Sequence, residues 1–354
     1  MKKLLTTLLL LSAVMSAAAQ QLDANLDFRV RFDNREYKSE FSESKTLFGY
    51  KFAPEAGLKW GNDNRNRLMA GMDHTRHFGA RGSDQPKPRL LLYYGYEGEN
   101  FTSYAGVFQV DKLIEYPRAF VASSYKFYNP LVEGAMFRYE YKSYSGLDGF
   151  FEASCNWHGM VTATNREKFL IQSSGWLGHR ADKWNFWAGY QLMMHHFSVT
   201  HPAPPDMGVV DYVIAYPCAG TSYIIHPVQL DIKAGWMQSF QNDRANEGEY
   251  VRPGGFMGEV SFKWRTLGLN NTLYLGDNMM PYYDRYGSEL YLGDPFFRTD
   301  HGVYNRLEVF WQPYLRDGMS LRISTVHHYD GKTWNWQQLA TFSVKLNGRK
   351  ALGF

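Results

Sequence analysis

From Leu22 to Asp33 the chain reads LDANLDFRVRFD, with Leu22, Ala24, Leu26, Phe28, Val30 and Phe32 at one parity and Asp23, Asn25, Asp27, Arg29, Arg31 and Asp33 at the other. Wound as a helix, neither set gathers into a stripe. In a strand successive side chains alternate between faces, so this period of two predicts a strand with one apolar and one polar face. The period returns in segments near 22–33, 46–60, 65–79, 88–97, 100–110, 132–144, 147–160, 168–178, 184–199, 208–224, 227–240, 253–265, 267–277, 302–315, 318–330 and 334–354. That makes about sixteen strands. The stretch around Pro217, Cys218 and Gly220 is the least regular and leaves fourteen or eighteen as alternative counts.

The connections sort by parity. After even-numbered strands they are tight, as at Gly61-Asn62-Asp63-Asn64, Gly98-Glu99, Ser145-Gly146 and Arg265-Thr266. After odd-numbered strands they are long: 34–45, 80–87, 111–131, 161–167, 200–207, 241–252 and 278–301, with Gly331-Lys332-Thr333 as the exception. Many segments also run 11 to 15 residues, whereas soluble strands cluster near about five or six and roughly nine to eleven tilted residues cross a hydrocarbon layer. The pattern predicts an all-β transmembrane antiparallel barrel with short periplasmic turns and long extracellular loops.

Composition sharpens this. Mean hydropathy is −0.43, as in a soluble protein, yet aromatics reach 17%, with 25 Tyr, 24 Phe and 10 Trp. A membrane barrel combines these because half of each strand meets lipid, half meets water, and aromatic girdles mark both interfaces. Secreted carbohydrate-binding β-proteins are aromatic-rich as well, so the strand pattern has to carry the distinction. With only Cys155 and Cys218 the chain is no disulfide scaffold, and a formal charge of +3 gives no reason to invoke nucleic acid.

The ends fit an exported barrel. MKKLLTTLLLLSAVMSAAAQ has two lysines, a short apolar run and a small-residue site, which predicts a signal peptide over 1–19 ahead of a barrel domain over 20–354. Elsewhere no stretch reaches the 18 or so apolar residues of a membrane helix. At the other end Phe342, Val344 and Leu346 keep the alternation going toward a terminal Phe354. In a closed barrel the last strand must pair with the first, because an open edge in lipid leaves backbone groups unsatisfied.

On this pattern the chain resembles the outer-membrane porin class of Gram-negative bacteria. The resemblance implies a place in the outer membrane among lipid and lipopolysaccharide, and homo-oligomers occur among the assemblies it allows. A terminal strand ending in Phe354 resembles the signal read by the barrel-assembly machinery, although Gly348 and Lys350 depart from a clean signal. The function it implies is a channel for passive diffusion of small polar solutes, with neither enzymatic activity nor cofactor. The alternative is a closed barrel acting as a lipid-modifying enzyme or as a surface glycan-binding or adhesion protein.

Alternation places a mixed-charge set on the pore-lining face: Arg29, Arg31, Lys51, Arg67, Arg138, Glu140, Glu152, Asp231, Lys233, Glu259, Lys263, Arg306, Glu308 and Arg322. Such a wall serves a water-filled conduit, or its charges simply satisfy one another across neighbouring strands. The aromatic loop 278–301 is expected to fold inward as a constriction, with Arg285, Glu289, Asp294 and Arg298 as polar groups and its carboxylates near Arg306 and Arg322. The adjacent pairs His195-His196 and His327-His328 point to opposite faces of a strand, so neither chelates a metal from one side, and no metal site is expected. Glu152, Ser154, Asn156 and His158 share one face of one strand and are the nearest approach to a hydrolase set.

Overall fold

The structure, a computed structural model, describes residues 21–81 and 85–347; the signal peptide and Phe354 readings fall outside them. Sixteen strands follow in chain order: β1 Gln21–Glu36, β2 Lys45–Trp60, β3 Asn66–His77, β4 Arg89–Glu97, β5 Phe101–Gln109, β6 Leu131–Lys142, β7 Leu147–Gly159 and β8 Lys168–Ala181. The second half comprises β9 Trp184–Phe197, β10 Val210–Ile225, β11 Val228–Asp243, β12 Gly254–Trp264, β13 Leu267–Gly276, β14 Val303–Trp311, β15 Met319–Tyr329 and β16 Trp334–Asn347. Each strand pairs antiparallel with its sequence neighbours, and β1 closes on β16 with Leu26 opposite both Pro54 and Leu346. Closure leaves no backbone edge for lipid to meet.

The apolar parity faces outward. Phe48, Leu68, Leu90, Phe186, Ile232 and Phe262 are exposed as the lipid contact. Aromatic pairs mark both interfaces: Trp60–Tyr94 (6.2 Å) and Trp184–Tyr223 (4.6 Å) at the periplasmic end, Trp157–Phe169 (4.9 Å) and Tyr329–Trp334 (4.9 Å) at the outer end. Pro217 sits inside β10, where a central strand normally excludes proline. The fold accommodates it by keeping the ladder to β9 continuous while the pairing to β11 breaks at Tyr216 and Pro217.

The inside differs from a uniformly wet lumen. In the outer half, inward positions of β9 to β14 carry Met193, Phe197, Tyr212, Ile214, Met237, Met257, Tyr274 and Tyr304, all buried. The 277–302 connection lies against them inside the barrel, contributing Met279, Met280, Leu290, Tyr291, Phe296 and Phe297 to one apolar core. Its helical segment α2, Tyr283–Leu290, is bent at Gly287 (φ 53°). A smaller core of Met69, Tyr93, Tyr104, Phe108, Val132 and Met136 packs under the start of the 110–130 connection, which contains α1, Ser123–Tyr128.

The two long connections touch within the lumen. Ala122 N–H donates to the Leu292 carbonyl and Asp294 N–H to the Arg118 carbonyl, each at 2.8 Å. Between these bonds a Cβ on Gly293 would lie 2.1 Å from the Ala119 carbonyl oxygen, so only glycine fits. Gly293→Leu should therefore part the connections, giving faster protease cleavage within 111–131 while the barrel keeps its heat-modifiable migration. Unchanged cleavage would show that the contact does not hold them.

Candidate functional site

Most of the inward charges predicted from alternation form ion pairs, some across neighbouring strands and some within one strand or with a connection. Arg29 meets Asp27 and Asp111, Arg67 meets Glu97, Arg138 meets Glu152, and Lys233 meets Glu259. Lys51 pairs with Asp73 at 3.4 Å. Buried Asp33 takes both Arg31 (3.3 Å) and Arg35 (2.9 Å), while Glu308 takes both Arg306 (3.2 Å) and Arg322 (2.8 Å). Glu140 and Asp231 line lower cavities of about 550 and 350 Å³, and Lys263 lies on the same inward parity of β12.

The connection 278–301 uses its charges differently from the expectation. Arg285 pairs with Asp243 and Glu247, Glu289 with Lys168 (3.3 Å), and Arg298 with Asp284 (2.7 Å), while the Asp294 side chain accepts from Phe296 N–H at 3.3 Å. The expected pairing of its carboxylates with Arg306 and Arg322 is replaced by Glu308. That carboxylate lies two residues from Arg306 on the same face of β14 and one strand from Arg322, so both guanidinium groups reach it within the wall.

The inner-face hydrolase set does not assemble. Glu152 is committed to Arg138 and to the Ile114 N–H (3.0 Å), and Asn156 accepts from Glu133 N–H (2.9 Å). Ser154 Oγ is buried without a partner. His158 stacks on His195 with ring centroids 5.1 Å apart, and His195 Nδ1 contacts the Leu290 carbonyl at 2.8 Å. Register puts Ser154 opposite Gln172 and Met193, whereas His195 lies one inward step higher. Two strand spacings and one such step separate their Cα atoms by about 12 Å, beyond the reach of a nucleophile–base bond.

A second histidine, on the other parity, has a different setting. His196 faces outward near the outer end of β9, stacked on Phe169 (4.5 Å), which stacks on Trp157. Directly opposite His196 across the β9–β10 ladder is Asp211. Directly opposed side chains begin about 5 Å apart, so imidazole and carboxylate share one patch. The Asp211 carboxylate accepts from Arg244 Nε (2.8 Å) and Nη2 (2.7 Å) and from Tyr250 OH (2.9 Å). That bond to a carboxylate holds the Tyr250 hydroxyl above its usual pKa, so it stays a donor. A carboxylate on a lipid-facing parity is costly at the midplane and tolerable only near an interface, where this one sits. The patch offers an imidazole, a carboxylate held by Arg244 and Tyr250, and the remaining Arg244 N–H donors at the level where outer-leaflet headgroups meet acyl chains. Sequence reading did not single it out; the signal was Asp211 on a face otherwise reserved for lipid.

The closed sixteen-strand wall with inward-folded connections is the fold of outer-membrane porins. Pseudomonas putida OprB superposes with a TM-score of 0.54 at 8% identity, covering 94% of this chain and 96% of that one. Salmonella typhi OmpF gives 0.51 at 9% identity, covering 93% and 99%. OpdK from Pseudomonas aeruginosa gives 0.50 at 12% identity, covering 92% and 99%. At such identities the likeness concerns the fold alone. A comparison with curated proteins gives no match. Residues 14–352 match the lipid A 3'-O-deacylase-type family, and the chain belongs to it. This corrects the expectation of a barrel without enzymatic activity, since the family is an enzyme type.

Proposed function

We propose that this outer-membrane barrel removes an ester-linked acyl chain from lipid A, with His196 as general base and Asp211 as its charge partner. Family membership over residues 14–352 carries the reading, and the outward His196–Asp211 patch is its support in the geometry. An acyl ester of an outer-leaflet lipid lies at the boundary between hydrocarbon and headgroup, at the height of the outer strand ends. His195, fully buried beneath Leu290, has no route to it. In the proposed step neutral His196 takes a proton from water as the oxygen adds to the ester carbonyl. The tetrahedral intermediate then collapses, the carbon–oxygen bond to the sugar breaks, and the imidazolium returns its proton to the sugar oxygen. Asp211 favours the transient imidazolium, and Arg244 offers its remaining N–H groups to the negative oxygen. Cells producing the barrel should show lipid A lighter by one acyl group on mass spectrometry than cells without it. Identical spectra with the barrel present in the membrane would defeat the reading.

A second reading, passage of small polar solutes, is favoured by cavities of about 350 and 550 Å³ in the lower lumen whose walls include the charged side chains Asp231, Glu259, Glu140 and Lys142. Here the 278–301 connection acts as the constriction, so deleting 282–297 should raise single-channel conductance in a planar bilayer. A correctly assembled deletion variant with unaltered conductance would rule the loop out as the narrow point.

A further inference from the structure

The outer lumen holds a cavity of about 540 Å³ between β1, β14 and the two inward connections. Its wall carries six cationic side chains, Arg31, Arg35, Lys45, Arg118, Arg298 and Arg306, against three carboxylates, Glu40, Glu43 and Asp294. Behind that wall Asp33 serves two arginines and Glu308 serves two more, so neither carboxylate neutralises the pair it holds. Arg118 Nη1 donates to Ser123 Oγ (2.8 Å) rather than to a carboxylate. Arg31 Nε is buried with no hydrogen-bond acceptor. Gathering guanidinium groups from separate segments into one cavity is unfavourable unless an anion completes it, and their planar forks match the oxygens of a phosphate. Tyr125, Tyr128 and Tyr283 on the same wall offer ring faces to the body of such a ligand.

We propose that this cavity binds a water-soluble sugar phosphate, its phosphate oxygens taken by Arg118 together with the Arg31–Arg35 pair. The cavity opens to the lumen rather than to lipid, so the ligand is a solute, and the site is independent of the hydrolytic reading at the rim. The test is calorimetric titration of the purified full-length barrel in detergent with glucose 6-phosphate and with glucose. Glucose 6-phosphate should bind at least about tenfold tighter than glucose and weaken with added salt. Arg118→Gln should lower its affinity by about tenfold or more, and Arg118→Lys, which keeps the charge but loses the fork, should fall between. Equal affinity for both sugars, no binding of the phosphate by the wild-type barrel, or unchanged affinity in a heat-modifiable Arg118→Gln barrel would each overturn the proposal.

Discussion

His196→Ala should cut lipid A hydrolysis by roughly 10²- to 10⁴-fold, the usual contribution of a positioned acid–base group, while the barrel still runs heat-modifiably on gels. Asp211→Asn should also slow hydrolysis, because the imidazole remains but its charge partner is lost. Rates are read as fatty acid released from lipid A in mixed micelles. The informative control is His195→Asn, which alters the same residue type one position away but on the lumen face. It should leave the rate close to wild type. If His195→Asn abolishes hydrolysis and His196→Ala does not, the chemistry belongs inside the barrel.

Asp33→Ala should destabilise the barrel by about 3–5 kcal/mol, the cost of leaving buried charges uncompensated. The carboxylate is fully buried, pairs with Arg31 and Arg35, and accepts from Gln337 on the closing strand β16. Its removal strands two guanidinium groups at the β1–β16 seam. The effect is read as a fall in the urea midpoint of the refolded barrel in micelles. Glu99→Ala, at an exposed periplasmic turn, should stay within about 0.5 kcal/mol of wild type. Similar midpoints for the two variants would mean that the seam does not depend on this carboxylate.

Strand positions were legible because a lipid-facing wall enforces period two at every step. The segment read as 22–33 became Gln21–Glu36, and 267–277 became Leu267–Gly276. Among the described residues the largest trim fell at 302–315, which ends at Trp311 just ahead of Pro313, a residue with no N–H for the ladder. Sorting of loops by length gave the barrel its inside-out orientation for the same reason: connections on one side have only to turn. The apolar packing inside the outer half, on the β9–β14 side, was less legible. Val210, Tyr212, Ile214 and Tyr216 make the inward face of β10 apolar, a sign that something packs there, but only the fold says that Leu290, Tyr291 and Phe296 are what arrive. Ion pairs were harder still. Arg306 and Arg322 chose Glu308 over the loop because pairing follows register, which alternation alone does not supply. The same limit hid the rim patch. His196 and Asp211 are separated by a whole outer loop in sequence and become neighbours only once β9 and β10 are aligned.

The most direct measurement is mass spectrometry of purified lipid A after incubation with the refolded barrel and, in parallel, with its His196→Ala variant. Loss of one acyl chain with wild type, and intact lipid A with the variant, is the predicted result. Intact lipid A with a folded wild-type barrel, or equal acyl loss with both proteins, would contradict the assignment of the outer-rim patch as the site of hydrolysis.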